Sequence, residues 1–249
     1  MKSTVQETAD LPETSPQDAP AAALAKDAAV LELLASRICH DLISPVGAVN
    51  NGVEFLQESG PDEQEDGIEL ISHSAAQAAA KLQVFRIAYG TGGRDGNIKP
   101  EDVQRAFGTL VAADGKIAQM WDPFGPLGPS KPYPQAFCKM LMTGLMLAQE
   151  CLPKGGSVAA RAGDKNETLF IAEGTGATIR DNVAEALAQD IAIADLDPRL
   201  VHPYTVGMLA NHYGYAIAVK ERAEGRIVFS MTSPAPAPAP AADTPAAAS

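Results

Sequence analysis

Apolar residues recur every three or four positions along two long stretches near the start of the chain. In the first, over residues 24–59, these positions are Leu24, Ala28, Leu31, Ala35, Ile38, Leu42, Pro45, Val49, Gly52 and Leu56. In the second they are Ile68, Ile71, Ala75, Ala78, Leu82, Phe85 and Tyr89. Such spacing places the apolar side chains on one face of an α-helix, as in a helical bundle. The sequence therefore predicts two long helices, separated at Ser59-Gly60-Pro61, where Gly can cap a helix and Pro cannot continue it.

Two helices joined by a short turn form an antiparallel hairpin, and a hairpin alone buries too little apolar surface to be stable. No later segment of the chain offers a second hairpin that could cover it. A homodimer that forms a four-helix bundle is the simplest solution. The alternative is that the hairpin packs on the rest of the chain.

Beyond residue 97 the pattern changes to mixed helices and strands. It predicts helices over 100–112, 135–151, 179–192 and 199–213, and strands over 116–121, 157–161, 168–173, 216–221 and 226–231. Helices combined with antiparallel strand pairs favour a two-layer α/β sandwich. The predicted fold class is thus α + α/β. Its segments are a disordered lead over 1–20, the hairpin over 21–90, a linker over 91–97, the sandwich over 98–232 and a Pro/Ala-rich tail over 233–249.

Composition narrows the function classes. The chain has 249 residues and a formal net charge of −12, which disfavours nucleic-acid binding and favours partners with basic patches. Its cysteines, Cys39, Cys138 and Cys151, have no metal-ligand spacing, which indicates reduced thiols and a cytoplasmic location. There is no signal-like start and no apolar run of transmembrane length, so we expect no membrane association.

A histidine in the first predicted helix lies outside the apolar face of that helix. With Leu42 at heptad position a, His40 falls at position f, which points away from the bundle seam. Asp41 follows it, and Pro45 inside the helix removes the backbone hydrogen bond to the carbonyl of Asp41. An exposed imidazole that a carboxylate can orient suits nucleophilic catalysis, in which a ring nitrogen takes up a phosphoryl group and passes it on. The alternative is an ordinary surface histidine.

Five residues lie beside His40 at helical spacing and are candidates for partner binding: Ser36, Arg37, Ile43, Ser44 and Gly47. The small side chains let another protein approach the ring, and Ile43 offers an apolar contact. Arg37 offers a cation for phosphoryl charge. The other histidines, His73, His202 and His212, lack this context, so we expect them to be surface or packing groups.

The segment His40-Asp41-Leu42-Ile43-Ser44-Pro45 resembles the H-box of histidine kinases, in which the phosphorylated His is followed by an acidic residue and then by Pro. The hairpin resembles the dimerisation and phosphotransfer domain of these kinases. The C-terminal sandwich resembles their ATP-binding domain, although signature residues are missing.

These missing residues are the ones that would hold nucleotide. Residues 145–156 resemble the N-box, but its metal-binding Asn falls at Leu147 and its Lys at Glu150. In the next box, the adenine-binding Asp falls at Gly174. No glycine-rich lid precedes residues 203–209. Leu cannot ligate Mg²⁺, and without the lid no backbone amides cradle phosphates, so the resemblance implies that ATP is not bound.

Over residues 24–231 the whole pattern resembles the ChpT family of alphaproteobacterial histidine phosphotransferases. The resemblance implies a homodimer in a cell-cycle phosphorelay, in which His40 accepts phosphate from the receiver domain of a hybrid histidine kinase and passes it to response regulators. It implies no cofactor or metal bound by this chain, with Mg²⁺ held by the receiver domain. A divergent ATP-dependent histidine kinase and a non-catalytic dimeric scaffold remain as alternatives.

Overall fold

The computed structural model describes residues 18–60, 63–91 and 97–234, with side chains from Asp27 onward. Its elements are α1 (Asp18–Glu58), α2 (Gln64–Ala88), α3 (Pro100–Asp114), β1 (Ile117–Gln119), α4 (Phe137–Glu150), β2 (Gly156–Ala162), β3 (Glu167–Glu173), α5 (Val183–Ala188), a 3-10 turn (Ile193–Asp195), α6 (Val201–Tyr213), β4 (Ala216–Ala223) and β5 (Arg226–Thr232). The predicted fold class is confirmed. Residues 1–17, 92–96 and 235–249, on which most of the predicted lead, linker and tail fall, lie outside the described residues, and α1 begins inside the predicted lead, at Asp18.

One predicted helix is much shorter than expected. The segment over 179–192 forms only α5, because Asn182 and Gln189 on either side of it both take a left-handed backbone with φ 63°. That conformation ends a helix.

Helices α1 and α2 approach each other closely at two glycines. A Cβ atom built on Gly52 would lie 2.6 Å from Cγ1 of Ile71, and one built on Gly67 would lie 2.6 Å from Cδ2 of Leu56. The absence of side chains at these two positions therefore allows the helices to pack tightly near the turn.

Part of the predicted apolar faces is exposed in the single chain. Three of the residues on these faces, Leu31, Ile68 and Leu82, are 68%, 56% and 53% exposed. Pro45 and Gly52, which face α2, are buried. The apolar face of each helix is wider than the contact between α1 and α2. One edge of the face therefore packs inside the hairpin, and the other edge stays exposed.

Five exposed apolar residues of the two helices lie on the same side of the hairpin, whereas Phe55 and Leu70, three residues after Gly52 and Gly67, turn to the opposite side. A helix turns about 100° per residue, so Val46 and Val53 lie beside the inward-facing Pro45 and Gly52. In α2, Ile68 and Leu82 lie beside the inward-facing Gly67 and Ser74 in the same way. Because the two helices are antiparallel, both sets turn to the same side. We call this the apolar stripe; its members are Leu31, Val46, Val53, Ile68 and Leu82.

The C-terminal domain is a mixed five-stranded sheet in the order β1-β2-β3-β5-β4, with β1 and β2 parallel and every other pair antiparallel. Alternate residues of β2 and β3, including Val158, Phe170 and Ala172, are buried. They face the helical layer, in which α4 contributes an almost fully buried run from Phe137 to Ala148. Gly144 allows close packing there, since a Cβ on it would meet the Phe170 ring at 2.3 Å. This is the predicted two-layer arrangement.

The open end of the hairpin is part of the same core. Val30 on α1 and both Val84 and Ile87 on α2 are buried with residues of the C-terminal domain. Lys139 on α4 donates to carbonyls at and just past the end of α2, at 3.1 Å from O of Ala88 and 2.6 Å from O of Gly90. The alternative packing of the hairpin, on the C-terminal domain, is therefore correct for this end, whereas the apolar stripe stays uncovered.

No helix in the described ranges is long and apolar enough to cross a membrane.

Candidate functional site

The imidazole of His40 projects from α1 into solvent, with 90% of its side chain exposed. Its Nδ1 lies 3.5 Å from Oδ1 of Asp41, a long contact that nonetheless directs Nδ1 toward the carboxylate. Adjacent helical residues rarely face each other. The contact leaves Nε2 as the ring nitrogen that is free to react.

The backbone beside His40 is irregular at one point, and a lysine compensates for it. Pro45 has no N–H, so the carbonyl of Asp41, four residues earlier, receives no hydrogen bond within the helix. Lys81 on α2 donates its Nζ to this oxygen at 2.8 Å. The two helices are thus joined by a hydrogen bond at the residue that follows His40.

Four of the predicted partner-binding residues surround His40 as expected from helical spacing. Ser36 and Ser44 are exposed, and Ile43 is 69% exposed. Gly47 has open space beside it, because a Cβ built there would meet nothing within 4 Å. Together with His40 they form a surface of small and apolar side chains that is turned away from the apolar stripe.

Arg37 is not the exposed cation that the sequence predicted. Its guanidinium pairs with the carboxylate of Glu150 at the end of α4, and its side chain is only 17% exposed. Burial lowers the pKa of Arg37, but the charge of Glu150, its hydrogen bond to Arg37 and the smaller effects of Tyr89 and Asp41 together outweigh burial, so the pKa of Arg37 is raised. Arg37 therefore ties α1 to the C-terminal domain one helical turn before His40.

A second polar contact joins the same two parts of the protein. The hydroxyl of Tyr89, just past α2, lies 2.6 Å from Nδ1 of His202 on α6. Burial raises the pKa of Tyr89, and burial together with the charge of Arg37 holds the pKa of His202 well below its usual value. Both groups are therefore neutral, so Tyr89 donates to Nδ1 and the ring proton of His202 sits on Nε2.

A cavity of about 310 Å³ opens between the hairpin and the C-terminal domain beside these contacts. Its lining is rich in charged side chains: Arg37, Asp41, Lys81, Asp114, Lys116, Glu150 and Arg180. It adjoins the turn of α1 that carries His40, so a partner that reaches His40 also meets the rim of this cavity.

The positions that would hold nucleotide in a kinase have other roles here. Leu147 is 2% exposed and belongs to the hydrophobic core. A Cβ on Gly174 would lie 2.4 Å from the carbonyl oxygen of Gly155, so no side chain fits at that position. Glu150 forms an ion pair with Arg37. An Asn, an Asp or a Lys at these positions would disturb packing that the fold uses.

The sequence did not predict the polar contacts of Lys81, Glu150, Tyr89 or His202. For Lys81 a signal existed, because the carbonyl that Pro45 frees needs a donor from a neighbouring helix. Glu150, Tyr89 and His202 make contacts with residues that are far away in the sequence, and the local sequence pattern does not predict such contacts. His73 and His212 are exposed, as expected.

Comparisons with known proteins show which proteins this chain is similar to. Residues 100–225 match the family model described as histidine phosphotransferase C-terminal domain. The protein phosphotransferase ChpT of Brucella abortus (strain 2308) is 37% identical over 202 residues, which are 80% of this chain and 92% of the relative. A solved structure of a bacterial phosphotransferase superposes with a TM-score of 0.67 at 30% identity, over 88% of this chain and 98% of that one.

Proposed function

This chain belongs to the histidine phosphotransferase family and is a phosphotransferase, and we propose that His40 is the residue that carries the phosphoryl group. The observation that carries the proposal is the exposure of the His40 ring, with Nδ1 directed to Asp41 and Nε2 free. The three other described histidines lack one or both features: His202 is buried, His73 contacts Gln77, and the exposed ring of His212 packs edge-on against Tyr213.

The donor in this proposal is an aspartyl phosphate on a receiver domain. The lone pair of Nε2 attacks phosphorus, the bond from phosphorus to the aspartyl oxygen breaks, and that oxygen leaves with the electron pair as a carboxylate. The ring becomes cationic, and its Nδ1–H faces the carboxylate of Asp41, which stabilises the charge. In the second half the carboxylate of another receiver attacks the phosphohistidine and regenerates neutral His40.

Magnesium for both steps would come from the acidic pocket of the receiver, since Mg²⁺ prefers oxygen ligands. The partners we propose are the receiver domain of a hybrid histidine kinase as donor and response regulators as acceptors. Ser36, Ile43, Ser44 and Gly47 supply the surface that receives them, and the C-terminal domain supplies a second contact surface across the cavity.

We further propose that the chain functions as a homodimer. The apolar stripe runs along one side of both helices, and the C-terminal domain packs elsewhere on the hairpin. A second hairpin laid on the stripe completes a four-helix bundle. His40 is directed away from the stripe, so the dimer leaves both rings accessible.

A divergent histidine kinase is the second candidate, and Gly174 and Leu147 argue against it because neither position accepts a nucleotide-binding side chain. We therefore propose that the chain binds no ATP. A non-catalytic scaffold is the third, and it does not explain why the reactive ring is so exposed. The unpaired Cys39, Cys138 and Cys151 support our proposal of a cytoplasmic relay, in which cell-cycle response regulators are one class of target.

The test is to incubate the protein with a receiver domain that carries labelled aspartyl phosphate, with and without ATP. We expect acid-labile label on His40 without ATP, followed by its loss to a second receiver. Label that appears only with ATP would support the kinase. Receiver binding without label on His40 would support the scaffold.

A further inference from the structure

The residue that replaces the missing hydrogen bond of α1 is placed to influence the chemistry at His40. Pro45 frees the carbonyl of Asp41, Lys81 Nζ donates to it at 2.8 Å, and the side chain of Asp41 contacts the ring of His40. We propose that Lys81 is a positioning residue for phosphotransfer, which holds the turn from His40 to Pro45 in the orientation that transfer requires. This proposal rests on the proposed role of His40.

The physical need for Lys81 comes from the backbone. A carbonyl without a partner at a partly buried site costs free energy, and a helix with a proline in its interior loses this bond by covalent necessity. Pro45 is buried against α2, so the freed carbonyl is on the side where Lys81 can reach it. A bond from an ammonium group is also stronger than one between neutral groups.

The consequence for His40 follows from the order of the contacts. Lys81 fixes the backbone of Asp41, and the Asp41 carboxylate fixes Nδ1 of His40. Phosphoryl transfer needs Nε2 in line with the leaving oxygen, and a displacement of about 1 Å can cost about 100-fold in rate. Lys81 acts at a backbone oxygen inside the cavity, so its effect on the ring passes through Asp41.

This mechanism makes Lys81 necessary only because residue 45 is a proline. In a Pro45→Ala variant, the new N–H can bond to O of Asp41 within the helix. The Lys81 contact then becomes redundant. The two substitutions should therefore be strongly non-additive, which a double-mutant cycle measures.

The experiment compares wild type, Lys81→Met, Pro45→Ala and the double variant as full-length protein. We expect Lys81→Met to lower kcat for transfer from a phosphorylated receiver by about tenfold, with KM changed by less than about twofold. In the Pro45→Ala background the same substitution should lower kcat by less than about twofold. Lys81→Arg, which keeps a donor, should recover most of the rate.

Lys220→Met is the matched control. Lys220 carries the same charge, but it lies on β4, where its ammonium donates to the carboxylate of Glu167, and it does not line the cavity. It should leave kcat unchanged. An equal loss for both lysines, or an equal loss from Lys81→Met in both backgrounds, would mean that Lys81 acts through charge or docking and would overturn the proposal. The absence of any loss with Lys81→Met would overturn it too.

Two further measurements separate this proposal from that of the function. Phosphoramidate, a small phosphoryl donor, tests whether His40 accepts phosphate without docking of a receiver. If wild-type protein takes up label from neither the receiver nor phosphoramidate, the proposed function is wrong. Amide hydrogen exchange over residues 42–49 then still tests Lys81. Faster exchange in Lys81→Met but not in the double variant keeps Lys81 as the support of this turn, and equal exchange in all four proteins removes that role.

Discussion

Tyr89 donates its hydroxyl hydrogen to Nδ1 of the fully buried His202, across the boundary between the hairpin and the C-terminal domain, at 2.6 Å. This bond requires a neutral histidine. The groups that face it keep it so, because burial and the cation of Arg37 both lower the pKa of His202.

Stability should therefore depend on pH through His202. The unfolded chain takes up a proton there below about pH 6.5, whereas the folded protein does not, so the free energy of unfolding falls as pH falls through 6.5. Between pH 7.5 and 5.5 the contribution is at most about 1.4 kcal/mol. Urea unfolding at both pH values should show this drop in wild type and a correspondingly smaller drop in His202→Gln, which keeps an acceptor for Tyr89. The exposed His212→Gln should behave as wild type; a wild-type pH dependence in His202→Gln would contradict the assignment.

The ion pair between Arg37 and Glu150 should contribute to the attachment of the two domains. Both side chains are mostly buried, so removing one partner leaves a charge in a poor environment, at a cost of about 2 kcal/mol. We expect Glu150→Gln and Arg37→Met each to lower the free energy of unfolding by this amount. The exchanged pair, Arg37→Glu with Glu150→Arg, should recover more than half of the loss. An exchanged pair that is less stable than either single variant would show that geometry, and not charge, holds the contact.

Removal of the His40 ring should abolish the relay and leave the fold intact. His40 is exposed, so His40→Ala should change the free energy of unfolding by less than about 0.5 kcal/mol. Transfer of label from a receiver should fall to background, because the nucleophile is lost. The matched control is His73→Ala, which removes an exposed histidine from α2. Full labelling of His40→Ala would exclude His40 as the acceptor.

Charges placed on the apolar stripe should dissociate the dimer. Val53 and Ile68 are 41% and 56% exposed, and a second hairpin would bury both. Burial of an unpaired carboxylate is costly, so Val53→Glu with Ile68→Glu should shift the mass in light scattering from twice 25.9 kDa to 25.9 kDa. Phe124→Glu, at a 70% exposed position in the C-terminal domain, is the control and should remain dimeric. A wild type that is monomeric at micromolar concentration would remove the dimer from the model of function.

Restoring the kinase carboxylate should damage the protein without restoring ATP binding. In Gly174→Asp the new Cβ clashes with the carbonyl of Gly155, so we expect a loss of at least about 2 kcal/mol in stability. Calorimetry with Mg-ATP should show no binding heat for wild type or variant. Gly60→Ala, where nothing lies within 4 Å of the new Cβ, should keep wild-type stability. Measurable ATP binding by wild type would revive the kinase hypothesis.

The order of helices and strands was predictable because it depends on local periodicity. Apolar and polar residues alternate along β2 and β3, and apolar residues recur every three or four positions along the long helices. Each pattern therefore specifies its own element. The exposure of His40 was predictable for the same reason, since it follows from the phase of one helix. The resemblance to the H-box then predicted a chemical role for that exposed ring.

The contacts of Arg37 were not predictable from such patterns. A cation at helical spacing from His40 is consistent with both phosphate binding and an ion pair to another domain. Only the position of Glu150, 113 residues later, decides between them. The division of the apolar faces was not predictable for a related reason, because a heptad pattern reports which residues are apolar but not which of them face the neighbouring helix.

The exposure of His40 also bears on how long a signal can last. A phosphoryl group on Nε2 of a ring that is 90% exposed would stand in bulk water. Its lifetime would then be that of phosphoimidazole itself, because the protein encloses neither the ring nor the attacking water. The protein itself would then not set the duration of the response. That duration would depend on how quickly receivers phosphorylate and dephosphorylate the ring, and therefore on their concentrations.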